Sequence, residues 1–503
     1  MLSLPARIKS MPYHWVAFYA VAMGTFVSVA DTGASYVALP SISDHFLADL
    51  PTVQWVTIGF ALTVSALLLP MGRLSDLVGR KRVYQIGLLV FIVSGLISAV
   101  SPNIPILIFS RVVMGIGAAM TQSTGMAMIV SVFPANERGK AMGLQLGAVG
   151  AGAIVGPAVG GFLVDLFGWR GVFYATAVAA AMAFAVAQPV LKEQLSDDRK
   201  KFSFDWAGAA LSIAFLVGFL MVMTNSHRVD WGILSTLGIA VGMMALLATF
   251  VWRELKSPSP MMDVRLFQKR LFSMSVTASF ITFAAMQSVR FLAPFYIQAV
   301  LGYSPQQMGL ILVPSALGTI IMGPVGGRLS DRYGWTIFNI LGLALIASGL
   351  FILAFITPTS GLWHVMIGMI IMNAGAGTFN STNNTAVIST VERSKYGVVS
   401  GFLNLVRNSA NVTGIAIATA VVTMVMAADG HPPTLAGVER GASDALLHSF
   451  TDGLRITYLG MGAITAVSIF LSFAKGGQTK EAEQPAEASA ARPAKASSGA
   501  DGQ

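Results

Sequence analysis

Apolar blocks of roughly 20 residues or more, the length needed to cross a bilayer as a helix, recur along this chain with only short polar stretches between them. About fourteen can be marked by hydropathy and length. They include 14–38, 52–71, 105–131, 140–166, 207–225, 232–252, 272–300, 363–390, 398–427 and 454–474. Composition agrees: 54% of the 503 residues are hydrophobic and 11% charged, with a mean hydropathy of +0.70. Soluble domains carry about 25% charged residues. The expected fold class is therefore an all-α polytopic membrane protein.

The net charge of +9 could point to a nucleic-acid partner, but its distribution points to a lipid bilayer instead. Lys and Arg concentrate in alternate loops, as the positive-inside rule requires. Arg73, Arg80, Lys81 and Arg82 share one side with Arg138, Lys140, Arg328 and Arg332. The opposite loops hold little beyond Arg170, Arg228, Arg440 and Arg455. A single miscounted helix would scramble this alternation. Both termini are thus expected in the cytoplasm of a bacterial cell, with the chain in the inner membrane. The first apolar run, from about Trp15 to Val37, lacks a clean cleavage site and reads as a retained helix. The stretch 428–452 is the longest outer loop, with a short helix expected at 442–450. The tail after Ala474 is too poor in large apolar residues to bury a core and is expected to be disordered.

The chain has no cysteine, which excludes disulfides, thiolate catalysis and thiolate metal sites. Its six histidines are scattered, so no metal site is expected. No Walker A sequence is present, against ATP-driven transport, and no nucleophile–base constellation marks an enzyme.

One motif occurs twice. Gly72-Arg-Leu-Ser-Asp76-Leu-Val-Gly79 returns 255 residues later as Gly327-Arg-Leu-Ser-Asp331-Arg-Tyr-Gly334, with six identities in eight. Both copies join one span to the next on the basic side. Corresponding loops in two halves are what parallel repeats predict, with a substrate cavity at their interface near mid-membrane.

These residues resemble the major facilitator superfamily, and specifically its fourteen-span drug:proton antiporter branch. The resemblance implies two six-helix bundles, residues 1–195 and 261–474, with two inserted linker helices over 196–260 and a tail over 475–503. Asp205, Trp206 and Gly208 at the start of span seven are similar to that branch. The resemblance also makes Gly72, Asp76, Arg80 and Asp331 a latch between conformations. Asp76 is expected near the start of a helix, where the dipole favours a carboxylate, with Arg80 as its partner.

Further features cost energy or bend helices inside the bilayer. Asp31 lies within span one, and an intramembrane carboxylate is a functional candidate by default. From Asp31 to Pro40 the chain resembles the family's first-helix motif, with Gly33 and Tyr36 where Thr and Asn are usual. Asp31 reads either as a proton- or substrate-coupling acid or as a permanent structural partner of an arginine. Arg111, about two turns into span four, stands at the matching depth at about 1.5 Å per residue; with Gly115 and Gly117 it resembles the family's proton-coupling fourth-helix motif. Gly143, Gly152, Gly156, Pro157, Gly160 and Gly161 in span five match the antiporter signature. Such glycines permit close helix contact, and the proline bends its helix.

Arg290 in span nine has no counterpart in the family pattern. It reads either as a cavity residue, hinting at an anionic or zwitterionic ligand, or as a side chain snorkelling to the outer surface. Asn373 and Asn380, two turns apart in span twelve, read as ligand contacts or as interhelical glue. Arg407 in span thirteen reads as structural or as part of an inner gate.

The function expected from this resemblance is proton-coupled export of amphipathic small molecules by alternating access, by a monomer that needs no cofactor. A permease for one metabolite or vitamin on the same scaffold is the alternative, since fold alone does not decide function. Protons, a small-molecule substrate and the lipid bilayer are the expected partners.

Overall fold

A computed structural model describes residues 11–134, 137–193, 210–211, 214–215, 218, 233–256, 264–391, 396–433 and 444–473. Among them, twelve helices are long and apolar enough to cross a membrane. The first six are α1 (Tyr13–Phe46), α2 (Trp55–Val78), α3 (Arg80–Ala99), α4 (Ile104–Val132), α5 (Arg138–Phe167) and α6 (Trp169–Val190). A further helix, α7 (Ile233–Lys256), stands where span eight was expected, with a shorter apolar stretch at Val241–Arg253. The second set is α8 (Arg270–Phe295), α9 (Pro305–Tyr333), α10 (Trp335–Ala354), α11 (Leu362–Ile388), α12 (Tyr396–Ala428) and α13 (Asp444–Phe473). Most of the span expected at 207–225, the residues Asp205, Trp206 and Gly208, and the tail lie outside the described residues.

Within the first set α1 packs on α4, α5 and α6, while α3 packs on α4 and α6. In the second set α8 packs on α11, α12 and α13, and α10 on α11 and α13. The two bundles meet through α5 against α9, α2 against α12 and α1 against α8. Many hydroxyls bond within their own helix: Thr32 and Thr63, for example, each donate to the carbonyl four residues back, which removes the cost of an unpaired polar group in lipid.

The repeated motif departs from expectation. Both copies are helical, forming the last two turns of α2 and α9, and the chain turns only at Gly79 and Gly334. These two residues have φ of +118° and +90°, a region that glycine enters without the Cβ penalty. Asp76 therefore sits in the last turn of α2, the unfavourable end of that dipole, and not at the start of a helix. Arg80, first residue of α3, compensates with bonds of 2.9 and 3.1 Å to the Asp76 carboxylate. The short helix expected at 442–450 is likewise the opening of α13, which begins at Asp444.

Buried apolar side chains divide unevenly along the membrane normal. Toward the end away from the repeated motif, one core runs through both bundles and joins Val37, Leu39 and Val53 to Phe291, Ile415 and Val422. At the motif end the bundles keep separate cores. One contains Phe18, Tyr84 and Phe133, and the other Phe272, Val399 and Phe402.

Candidate functional site: a buried ion pair beside an open cleft

Asp31 and Arg111 form an ion pair of 2.8 Å with side-chain exposures of 0% and 1%. Its other polar atoms are also engaged. Thr176 of α6 donates to the second Asp31 oxygen at 3.1 Å, and Arg111 Nε donates to the Val56 carbonyl at 3.1 Å. The guanidinium lies 4.6 Å from the centre of the Phe60 ring and 5.6 Å from that of Phe173. Asn103 caps α4 by accepting from the Ile106 amide, which fixes the turn from which Arg111 is counted. The depth match read from the sequence is realised as direct contact. Thr176, 145 residues from Asp31 along the chain, was not singled out, because one threonine in an Ala-rich helix carries no local signal.

Glycines of α5 hold this pair's neighbourhood together. A methyl group on Gly156 would stand 2.5 Å from the Ala30 carbonyl oxygen, and one on Gly160 2.5 Å from the Ala34 Cα. Gly152 similarly faces Phe26 and Val29. The glycine row thus lays the α5 backbone against α1 on either side of Asp31. Pro157 lies on a neighbouring face, its ring filling the space at Gly33 while its carbonyl meets Gly309 of the second bundle. Gly161 meets the Pro305 backbone, also across the interface. Gly143 has nothing within 4 Å of an added methyl, so at the motif end this face of α5 is open while Ala141 and Gln145 on other faces stay buried.

Both departures from the first-helix motif have structural work. Gly33 leaves room for the Pro157 ring, and the Tyr36 hydroxyl bonds Gln287 of α8 across the bundle interface. Gln298 adds a 3.0 Å bond to the Val37 carbonyl, and the Leu50 amide one of 3.0 Å to the Pro433 carbonyl. These crossings lie from mid-membrane toward the end away from the motif. Together with the shared core they close that end; at the motif end the cores are separate and Gly143 and Gly147 of α5 face open space, which marks a cleft between the bundles.

Arg290 follows Gln287 by three residues, so it lies on nearly the same α8 face. It is densely surrounded by protein and yet solvent-exposed, as a residue lining an internal cleft is. The Tyr36 hydroxyl is within electrostatic reach of both Arg290 and Arg111. Arg290 has no ion-pair partner among the described residues. Asn373 is differently placed: buried, it donates to the Met369 carbonyl at 2.9 Å and its backbone carbonyl accepts from Thr319 of α9 at 3.0 Å. That is interhelical packing. Asn380 is half-buried. Asn383, on the same helix, ties Ser279, the Ser275 carbonyl and Asn339 together.

At the motif end, Arg80 also donates to the Ala127 carbonyl at 3.2 Å, and Arg82 approaches Glu193 at 3.6 Å. Gly72 lies over Ser123, with 3.7 Å from an added methyl to its Cβ. Asp331 falls in the last turns of α9, and its side chain lies outside the described part. No group of His, Asp or Glu that could hold a metal occurs among the described residues.

Two helical bundles, joined across a mid-membrane interface with a cleft open at one end, define a multi-pass membrane transporter. The chain belongs to the Major Facilitator Superfamily, whose family model matches residues 21–415. It is 28% identical to the riboflavin transporter RibZ of Clostridioides difficile over 81% of this chain and 88% of that protein. It is 26% identical to the tetracenomycin C resistance and export protein of Streptomyces glaucescens, over 95% of each chain. Among solved structures it resembles a bacterial homolog of the human lysosomal transporter Spinster in its fold, with a TM-score of 0.64 at 17% identity, over 93% of this chain and 97% of that one.

Proposed function

We propose that this protein exports amphipathic small molecules across the bacterial inner membrane in exchange for protons, with both termini in the cytoplasm. The observation that carries this reading is the position of the Asp31–Arg111 pair. It is buried beneath the α5 glycine row, and α5 also forms the contact with α9 that closes the far end. Asp31 takes up a proton only when its bonds to Arg111 and Thr176 part. Parting them disturbs α1, and the tightly packed Gly156 and Gly160 transmit that shift into α5. Rocking α5 against α9 then exchanges the open and closed ends. The Asp76–Arg80 pair and Gly72 serve as the latch of the cytoplasmic end.

Export in everted vesicles, measured for a compound panel with an imposed proton gradient, tests this. Transport should stop when the gradient is collapsed, and Asp31→Asn should uncouple it. Export indifferent to the gradient would sink the exchange mechanism. A second reading, a permease for one metabolite or vitamin, is favoured by the likeness to a riboflavin transporter. Inward accumulation of a single such solute would establish it instead.

A further inference from the structure

The membrane interior of this chain holds an imbalance of charge that the ion pair does not absorb. Among the described residues, Asp31 is the acid buried within a span, and it is engaged by Arg111. Two further guanidinia, Arg290 on α8 and Arg407 on α12, have no acidic partner there. An isolated cation at this depth is costly and persists only where a partner or a function holds it.

Arg407 and Arg290 are linked through one aromatic ring. The Arg407 guanidinium lies 4.8 Å from the centre of the Phe283 ring, and Arg407 Nε is buried without a hydrogen-bond partner. Phe283 precedes Arg290 by seven residues on α8, so the two fall on nearly the same face, about 10 Å apart along the axis. That face also carries Gln287, which reaches Tyr36 across the bundles. In order from the open end this face carries Arg407, Phe283 and the Tyr36–Gln287 crossing, with the exposed Arg290 within one turn of that crossing. Counted along their helices, the two arginines stand on opposite sides of the membrane midplane.

We infer that this face is the substrate site and that it takes organic anions: an aromatic or planar body on Phe283 and Tyr36, with one or two carboxylate, sulfonate or phenolate groups on Arg290 and Arg407. A guanidinium offers several donors in a fixed fork, suited to such groups. Arg407 is half-buried, so the tip of its guanidinium and not the enclosed Nε would meet the ligand, and placing an anion beside two uncompensated cations lowers the cost of both. A cationic amphiphile meets repulsion at both ends of the same face. The Asp31 carboxylate does not offset this, because its charge is neutralised by Arg111 in a fully buried pair.

The inference rests on the transporter reading but not on its direction or proton coupling, so it is tested by binding without a gradient. The probes are pyrenebutyrate and its cationic match, pyrenebutyl-trimethylammonium, titrated into the full-length protein in nanodiscs of neutral lipid and followed by pyrene anisotropy. The anion should bind at least about tenfold more tightly than the cation. Arg290→Gln and Arg407→Gln should each erase most of that preference, and Arg290→Lys and Arg407→Lys, which keep the charge, should retain part of it. Equal or tighter binding of the cation, binding of neither probe, or an anion preference unchanged in both Gln variants overturns the inference. If a Gln variant fails to fold, the preference of the unaltered protein and the Lys variants still decide. Failure here leaves proton-coupled export standing; failure of the vesicle experiment leaves the anion site standing.

Discussion

The two bundles treat buried charge in opposite ways. In the first, Asp31 and Arg111 neutralise each other, and every strong contact of the pair is supplied by α1, α2, α4 or α6 of the same bundle. In the second, Arg290 and Arg407 stand without acids on a face turned toward the cleft. Backbone packing differs in parallel. Three α5 glycines lie against α1, whereas α12 places Gly414 against Ala284 of α8 in the corresponding position. Repeats with a common plan thus differ: one bundle has a sealed charge and a glycine-lined contact between α1 and α5, the other has open charges.

The largest expected effect separates the two kinds of charge. Arg111→Ala leaves the Asp31 carboxylate buried and unpaired, which should cost about 3–5 kcal/mol. Arg290→Gln orphans no partner and should stay within about 0.5 kcal/mol. Thermal unfolding of the purified variants reads both, and equal losses would erase the distinction between sealed and open charge. Next in size is the glycine row. Gly156→Leu forces a side chain into the α1 backbone and should cost about 1–3 kcal/mol along with transport, while Gly147→Leu, whose Cβ would meet nothing within 4 Å, should fold normally. A row that served only as filler would tolerate Gly156→Leu with full coupled transport.

A smaller change reports on the interface between the bundles. Gln287→Leu removes the bond to Tyr36, worth about 1 kcal/mol, and should bias the protein toward opening at the end now closed. Because the chain has no cysteine, Gln306→Cys gives a single thiol beside Gly161, and its labelling by a membrane-impermeant reagent should quicken about fivefold in the Gln287→Leu background. Unchanged labelling would remove that bond from the closure. Smallest is Arg80→Gln at the motif end: a partly exposed pair of this kind is worth about 0–1 kcal/mol, so stability should barely move and the measurable change should be in transport rate.

Much of the fold was legible because hydropathy is a local property. The apolar blocks give the helices, and the exact repeat at Gly72 and Gly327 gives two halves. The Asp31–Arg111 contact was legible for a related reason, since residue number converts to depth when helices cross a slab of fixed thickness. What local reading missed were partners across bundles. Tyr36 and Gln287 are 251 residues apart, and neither is unusual in its own helix. The polar composition of Gly-Arg-Leu-Ser-Asp marks a membrane boundary, which was mistaken for the end of a helix; α2 and α9 continue past it until a glycine with positive φ breaks them. Arg407 was visible as a cost in the bilayer, but its tie to Phe283 needed the packing of α12 on α8.

Gly161 and Gly309 carry one more consequence. At the closed end, where Gly161 meets Pro305 and Gly309 meets Pro157, main chain lies on main chain, and the α9 side chain set against an α5 glycine, Ile320 at Gly150, stands nearer the motif end. Such a joint behaves as a plain bearing: friction is low and the path is set by the shape of two rods. Any residue larger than glycine would act as a detent, holding the molecule at one end of its stroke. The same bareness that lets the bundles come so close lets them move apart without climbing a barrier of rotamer changes.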